Sequence, residues 1–270
     1  MIQFTSKPGL VAYVTAGDPD LATTRDIVLA AIDAGAEVIE LGVPFSDPLA
    51  DGPVIQRASE RAVGRGVTLR DVLGLTREIR AARPGAGLVL FSYMNPVVRM
   101  GMERFCGEAA AAGADGVLLT DMIVEEADEY RALMAANALS PVFLAAPTSP
   151  DVRLKAIAEA SRGFIYAVSR VGITGARETV ASDAESLVQR LRQFATIPVA
   201  VGFGISTAAH VREVGRFADA AIVGSALVAL IERAGRENAA KAVGAFIAEL
   251  RGGAETAADA ARGVPAEVSG

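Results

Sequence analysis

The residues best suited to chemistry lie in one short stretch, ELGVPFSDPLADGP, which runs from Glu40 to Pro53. It places Glu40 at the end of an apolar run and then sets Asp47 and Asp51 on a loop rich in proline. Proline lowers the conformational entropy of a loop, so these carboxylates are held at fixed offsets. A carboxyl group facing a dry pocket exchanges protons near neutral pH, while a second one that stays ionised holds a cationic or N–H group. The stretch therefore predicts an acid/base pair with divided roles.

The other reactive residue types are scarce. His210 is the single histidine, and its polar helical context is typical of a surface or capping residue. None of the lysines ends an apolar strand-like run, where a Schiff-base lysine is expected. The lone cysteine, Cys106, lies in an amphipathic helical pattern and is interpreted as a packing residue. Carboxylates, hydroxyls and backbone groups remain for the chemistry.

Composition argues against several classes of protein. The net charge is −6 without a basic cluster, and there is no Trp, so nucleic-acid binding is not expected. No apolar stretch approaches the roughly 20 residues that span a bilayer, so no membrane association is expected. The start, MIQFTSKPGL, lacks the pattern of a signal peptide, and a single cysteine fits a reducing compartment. These features predict a cytoplasmic protein.

Short apolar runs alternate with helical patterns along the chain. The runs are nearly continuous, as in parallel strands covered by helices on the outside. Eight strand–helix units predict an α/β fold, a single-domain (β/α)8 TIM barrel, with extra helical structure after strand 2 and at the N-terminus. The alternative is a doubly wound open sheet, but the first turn, TAGDPD, lacks the GxGxxG pattern. The predicted strands are 10–15, 37–42, 88–93, 116–120, 141–145, 164–169, 198–203 and 220–225.

The predicted barrel occupies residues 1–251. The remaining residues, 252–270, are small and polar without an apolar face. Such a segment buries too little apolar surface to fold, so we predict a flexible C-terminal tail.

Glycine-rich loops follow the last three predicted strands: RVGITGARE, GFGIS and GSAL. Each pairs glycine with a helix start, where backbone N–H groups bind phosphate. The loops after strands seven and eight are the usual phosphate site of a TIM barrel. The alternative is that these glycines only serve tight turns.

The stretch ELGVPFSDPLADGPVIQRA (40–58) closely resembles the signature of the tryptophan synthase alpha chain family. AYVTAGDPD, YAVSRVGITGA and VGFGIS…VGSALV resemble the same family in the same order, so the resemblance covers roughly residues 9–250. It implies a lyase that cleaves indole-3-glycerol phosphate to indole and glyceraldehyde 3-phosphate without its own cofactor or metal. It also implies a partner, a pyridoxal-phosphate-dependent beta chain, in an alpha2beta2 complex.

The resemblance assigns roles to single residues. By resemblance, Glu40 shuttles protons and Asp51 holds the indole N–H. Thr174, which also contacts substrate, matches a residue of a mobile loop, and Asp47 matches its partner in a latch. The other implied positions are the substrate-binding residues Tyr13, Tyr93, Tyr166 and Phe203 and the phosphate-binding residues Gly175, Gly204, Gly224 and Ser225.

One position departs from the family pattern. After the fourth strand the family usually has Asp-Leu-Pro or Asp-Val-Pro, whereas this chain has Asp121-Met122-Ile123. In the family this loop lies near the face that binds the partner. Two other hypotheses stay open at this point: a free-standing lyase of the same fold, and a noncatalytic barrel that binds a phosphate ligand.

Overall fold

Parallel strands form a closed barrel at the centre of the fold. The computed structural model describes residues 2–168, 177–202, 204–252 and 255–256. The strands in this part of the chain are β1 (Ser6–Lys7), β2 (Gly9–Thr15), β3 (Val38–Gly42), β4 (Gly87–Ser92), β5 (Gly116–Leu119), β6 (Ser140–Val142), β7 (Leu144–Ala145), β8 (Ile165–Val168), β9 (Val199–Gly202), β10 (Ala220–Val223) and β11 (Glu255–Thr256).

The sheet order confirms the predicted TIM barrel. Strands β2 to β6 pair in sequence order, β10 closes onto β2, and β10, β9, β8 and β7 continue the ring, with every pairing in the ring parallel. The fifth predicted strand, 141–145, is divided into β6 and β7. The first half pairs with β5 and the second with β8, so the fifth barrel strand changes partner at Phe143.

Helices surround the barrel. In the described residues they are α1 (Leu21–Asp33), α2 (Pro53–Gly64), α3 (Leu69–Ala82), α4 (Met94–Met100), α5 (Met102–Ala112), α6 (Asp128–Ala136), α7 (Asp151–Ala160), α8 (Arg177–Leu191), α9 (Ala208–Gly215) and α10 (Ser225–Arg251). None of these helices is both long and apolar enough to span a bilayer. The extra helical structure predicted after strand 2 is present, because α2 and α3 both lie between β3 and β4. A further helix that the sequence did not predict, α4, precedes α5.

The caps show why some helices begin where they do. Asp20 caps α1 by accepting a hydrogen bond from the backbone N–H of Thr23. Thr68 and Asp71 form a reciprocal capping box at the start of α3. These contacts satisfy backbone donors that have no partner inside the helix, so the short side chains define the first turn.

The barrel interior is filled in layers. Alternate residues of a strand face the same side, which places Val11 and Tyr13 of β2 inward, together with Val38 and Glu40 of β3. The lower layer is apolar and includes Val11, Val38 and Phe164. The polar residues lie above it, towards the carboxyl ends of the strands. This is the face on which barrel enzymes carry their active sites.

The N-terminal segment covers the opposite end of the barrel. Phe4 packs edge-on against Phe164, and β1 pairs antiparallel with β11. The extra N-terminal structure is thus a two-residue strand, and the described N-terminal residues contain no helix. The Glu37 carboxylate accepts hydrogen bonds from the backbone N–H groups of Thr5 and Ser6, which holds this segment extended.

Of the predicted tail, Gly252 and β11 are described. Residues 253–254 and 257–270 lie outside the described residues. The boundary at residue 251 between barrel and tail stays a prediction.

Candidate active site

Glu40 is a buried carboxyl group without a hydrogen-bond partner in the described part of the chain. Strand β3 carries it on its inward face, where its side chain is 0% exposed. Neither carboxyl oxygen has a hydrogen-bond partner among the described residues. Burial without a compensating donor disfavours the charged form and raises the pKa of Glu40 from 4.5 to about 8. At neutral pH most of this group is therefore a neutral acid.

Asp51 lies on the loop that follows β3, in different surroundings. It is half-buried, and its Oδ2 accepts a hydrogen bond of 3.0 Å from the hydroxyl of Tyr93. Burial raises the pKa of Asp51 to about 6, and the bond from Tyr93 opposes that rise. At neutral pH most of Asp51 is therefore ionised. Burial thus raises the pKa of Glu40 further than that of Asp51, and the predicted division of roles between the two carboxyl groups stays a prediction.

Hydrogen bonds hold the Asp51 loop in place. The backbone N–H of Ala50 donates to the Tyr93 hydroxyl at 3.0 Å, and the Asp51 N–H donates to the Pro48 carbonyl at 3.0 Å. The amide of Gln56 donates to the Asp51 carbonyl at 2.9 Å. Tyr93 thus supports the loop and the acid together.

Two further tyrosines lie beside these acids, on β2 and β8. Tyr13 is almost fully buried and packs edge-on against Phe91, with ring centroids 5.1 Å apart. Burial, together with the charge of both acids, raises the pKa of Tyr13 and of Tyr166. Both phenols therefore stay protonated and can donate hydrogen bonds at neutral pH.

Glycines make room for these two phenols. A β-carbon at Gly42 would overlap the Tyr13 ring, and one at Gly202 would overlap the Tyr166 ring. Each glycine faces the barrel interior on the strand next to its tyrosine, β3 beside β2 and β9 beside β8. The absence of a side chain there is what lets each phenol reach the upper layer.

A cavity of about 470 Å³ opens above this layer. It reaches from Asp51 at one side to the start of α10 at the other. Glu40 and Tyr93 are not part of its wall: Glu40 lies covered beneath it, and Tyr93 stands behind Asp51. The lining residues include Tyr13, Ala50, Asp51, Ile55, Phe91, Leu144, Tyr166, Gly202, Gly204, Ile222, Gly224 and Ser225.

The far side of the cavity is a helix N-terminus. Helix α10 begins at Ser225, and its N-cap residue, Gly224, provides no side chain to cap the first turn. The first N–H groups of a helix bind anions, helped by the helix dipole. Gly204 lies beside them in the wall of the cavity. Of the four predicted phosphate-binding residues, the structure brings together Gly204, Gly224 and Ser225.

Several predicted residues cannot be placed. Thr174, Gly175 and Phe203 lie outside the described residues. Asp47 is exposed on the second loop and accepts a hydrogen bond of 2.5 Å from its neighbour Ser46. The predicted latch between Asp47 and Thr174 therefore stays a prediction.

Sequence reasoning missed part of the cavity wall. Phe91, Leu144 and Ile222 line it but were predicted only as members of apolar strands. The signal that could have found them is the alternation of inward-facing residues along a predicted strand, since each lies two residues after a buried interior residue: Val89, Val142 and Ala220.

The loop with the unusual Asp-Met-Ile sequence is described in full. Asp121 accepts a hydrogen bond of 2.8 Å from the Met94 N–H at the start of α4. Ile123 is 47% exposed at the position where the family usually has proline. His210 lies in the first turn of α9, whose N-cap is Thr207, and its Nδ1 accepts a hydrogen bond of 3.3 Å from the Ser206 N–H, in line with the predicted capping role. Among the described residues, no group of three or more His, Cys, Asp or Glu side chains is arranged to hold a metal ion.

Fold and site define a class of protein: a TIM-barrel enzyme with a neutral acid and an ionised carboxylate near one cavity, and a helix N-terminus suited to phosphate. Comparison with known proteins identifies the family. The family model for the tryptophan synthase alpha chain matches residues 2–257. The chain belongs to this family, which confirms the resemblance predicted from residues 40–58.

Individual relatives agree with this assignment. The tryptophan synthase alpha chain of Cupriavidus metallidurans is 50% identical over 248 residues, which cover 91% of this chain and 92% of that one. The alpha chain of Solibacter usitatus is 51% identical over 228 residues, or 84% and 85% of the two chains. A chain from the crystal structure of the tryptophan synthase complex of Pyrococcus furiosus superposes with a TM-score of 0.83 at 38% identity, covering 92% of this chain and 100% of that one.

Proposed function

We propose that this protein cleaves indole-3-glycerol phosphate to indole and glyceraldehyde 3-phosphate as the alpha subunit of tryptophan synthase. Membership of the alpha chain family supports the reaction and the role in tryptophan biosynthesis. The single observation that carries the assignment of residues is the pair formed by Glu40 and Asp51. Glu40 is a buried acid whose pKa burial raises and which has no partner among the residues that the structure describes, and Asp51 is a carboxylate in the cavity wall with a smaller rise in pKa.

In this proposal Glu40 moves two protons. The neutral acid gives its proton to C3 of the indole ring, which makes the ring a cation and an electron sink. The bond between C3 and the glycerol carbon then breaks, and its electron pair returns to the ring. The resulting carboxylate takes the proton of the hydroxyl on that carbon, which becomes the aldehyde. Glu40 ends the cycle protonated, as it began.

Asp51 stabilises the charge that this sequence creates. Its carboxylate accepts a hydrogen bond from the indole N–H, and this bond strengthens when the ring becomes cationic. An interaction that is stronger in the transition state than in the ground state lowers the barrier. Tyr93 keeps the Asp51 carboxylate in position through its hydrogen bond to Oδ2.

Glu40 is fully buried, so its carboxyl group must become exposed to the cavity before it reaches a ligand. No hydrogen bond to a described residue has to break for this. We assign Tyr13, Tyr166 and Phe203 to the walls that hold the indole ring, and Tyr93 to the support of Asp51. Thr174 and Asp47 would close the site by joining their two loops, and closure would exclude water.

The phosphate of the substrate would bind at the start of α10. We assign this role to Gly204, Gly224 and Ser225, and to Gly175 on the loop after β8. Backbone N–H groups carry out this binding, which is compatible with an acidic protein.

We propose that the partner is a tryptophan synthase beta chain in an alpha2beta2 complex. The match to a chain of the Pyrococcus furiosus tryptophan synthase complex supports this assignment. Pyridoxal phosphate would belong to the beta chain, and this chain would need no cofactor of its own. The expected location is the cytoplasm.

Indole release from indole-3-glycerol phosphate, measured with the purified chain alone and with a beta chain, tests the proposal. We expect slow release alone and faster release with the beta chain. Fast release by the chain alone would indicate a free-standing lyase, and phosphate-ligand binding without release would indicate a noncatalytic barrel.

We further expect Asp51→Asn to lower kcat by about 100-fold with the fold intact, which is the size of the loss seen when one group that stabilises a transition state is removed. Unchanged kcat in that variant would contradict the role given to Asp51.

A further inference from the structure

An ionic cluster joins three elements that surround the site. Asp18, in the turn between β2 and α1, is only 5% exposed at its side chain. Arg61 of α2 donates to both of its oxygens, from Nε to Oδ1 at 2.9 Å and from Nη2 to Oδ2 at 2.7 Å. The third nitrogen of the same guanidinium, Nη1, donates to Glu232 of α10 at 2.7 Å. The side chain of Arg61, on α2, thus links the turn between β2 and α1 to α10.

A second arginine extends the cluster along α2. Arg57 donates to the other oxygen of Glu232 at 3.3 Å and to the Pro53 carbonyl at 3.3 Å. The hydrogen bond from Arg57 holds the pKa of Glu232 below its usual range, and the bond to Asp18 raises the pKa of Arg61. Glu232 therefore stays ionised and tied to α2 throughout the neutral pH range.

Each of the joined helices begins at a part of the candidate site. Helix α2 begins at Pro53, two residues after Asp51, and α10 begins at Ser225, one residue after Gly224. The two starts are neighbours, because a β-carbon at Gly224 would lie 3.9 Å from Ile55 of α2. The relative position of the two helices therefore sets the distance from Asp51 to the first N–H groups of α10.

An apolar cluster also lies between these helices. Its members are Val54, Ile55 and Ala58 on α2, Val228 on α10, Tyr13 on β2 and Phe91 on β4. Apolar contacts are not directional, so they fix the distance between two helices better than their orientation. A guanidinium bound by two parallel hydrogen bonds fixes orientation as well as distance.

We propose that Arg61 is a positioning residue that holds Asp51 at the correct distance from the phosphate-binding start of α10. This inference rests on the proposed function, in which one substrate molecule binds Asp51 by its indole ring and α10 by its phosphate. A ligand that occupies one end of the cavity does not depend on this distance. A ligand that joins both ends does, because its second contact is intramolecular and needs the correct geometry.

The test compares Arg61→Met and Arg61→Lys with the wild type. Lysine keeps a positive charge near Asp18 but cannot make the paired hydrogen bonds of the guanidinium. The Arg61→Lys variant therefore still tests the inference if Arg61→Met folds poorly. Arg65→Met is the matched control, since Arg65 immediately follows the last residue of α2 and its guanidinium donates only locally, to the Arg61 carbonyl at 2.9 Å. Each protein is assayed for indole release from indole-3-glycerol phosphate, in the presence of a beta chain. Glycerol 3-phosphate serves as a competitive inhibitor that probes the phosphate end alone.

We expect kcat/KM to fall by about 10- to 100-fold in Arg61→Met and by less in Arg61→Lys, since an error of 1 Å in placement costs about this much. The inhibition constant of glycerol 3-phosphate should change by less than about 2-fold, and Arg65→Met should match the wild type. Unchanged kcat/KM in both Arg61 variants would overturn the inference. An equal loss of inhibitor affinity and of kcat/KM would also overturn it, because the phosphate site itself would then be damaged. A wild type that releases no indole would contradict the proposed function and remove the basis of this inference with it.

Discussion

Two glutamates of the second barrel strand, one just before β3 and one within it, have opposite surroundings. Glu37, one residue before β3, accepts hydrogen bonds from the N–H and hydroxyl groups of both Thr5 and Ser6. Glu40, inside β3, is fully buried and has no partner among the described residues for either oxygen. The carboxylate of Glu37 accepts four hydrogen bonds, and that of Glu40 accepts none from the described part of the chain.

This difference indicates that one glutamate of this strand stabilises the fold and that the other is available for proton transfer. At the amino end of β3, the hydrogen bonds that Glu37 accepts hold the N-terminal segment against the barrel. Further along β3, burial without a donor among the described residues disfavours the charged form of Glu40, so this group keeps a proton that it can give up. An unpaired buried acid stabilises nothing, so its presence indicates a functional role.

The largest expected difference between Glu40 and Glu37 is in the rate of indole release. Glu40→Gln removes the acidic proton with little change of shape, so we expect kcat for indole release to fall by about 1,000-fold, within the range of general acid–base catalysis. Glu37→Gln is the matched control and should stay within about 2-fold of the wild type. Both variants are assayed with the beta chain at saturating substrate. Equal losses in the two variants would show that Glu40 acts only through the fold.

The strands of this barrel are highly predictable from sequence, and for a physical reason. A parallel strand covered on both faces must be apolar nearly throughout, so each one appears as a continuous run. The division of the fifth strand at Phe143 leaves no such mark, because the break depends on which neighbouring strand each half meets. No element was predicted for the residues of α4, which carries Pro96 in its first turn, where proline is tolerated.

The candidate site also has residues that the sequence predicts and residues that it does not. Glu40 and Asp51 were predictable because a single stretch of chain carries both, with the proline that stiffens the loop between them. The contacts of Arg61 were not predictable, since its partners Asp18 and Glu232 are 43 and 171 residues away. A charged residue on a helix is usually solvent-exposed, so the sequence contains nothing to mark this one as a link between helices.

A smaller effect is the pH dependence of stability. The pKa of Glu40 is about 8 in the folded protein and 4.5 as a free side chain. Between these values the native state keeps a proton that the unfolded state has lost, so the contribution of Glu40 to the free energy of unfolding falls as pH rises from about 4.5 to about 8. Since one pKa unit corresponds to about 1.4 kcal/mol, we expect the wild type to lose on the order of 2–4 kcal/mol relative to Glu40→Gln over this range.

Urea unfolding of both proteins at pH 5, 6.5 and 8 measures that difference, because the other titrating groups cancel between them. Glu37→Gln should keep the pH slope that Glu40 causes in the wild type. Parallel pH profiles for the wild type and Glu40→Gln would show that Glu40 is ionised in the native protein, and the proposed proton donor would be lost.

The smallest effect is the stability that Glu37 contributes at the other end of the strand. In Glu37→Gln, an amide nitrogen replaces one of the two oxygens that accept hydrogen bonds from Thr5 and Ser6. The free energy of unfolding should therefore fall by about 1 kcal/mol at pH 7, within the usual range for one hydrogen bond. The same urea experiment at pH 7 should give Glu40→Gln a stability equal to or above that of the wild type. The reverse order, with Glu40→Gln less stable than Glu37→Gln, would mean that the buried acid at the catalytic end supports the fold, and that the separation of stability from chemistry along β3 is wrong.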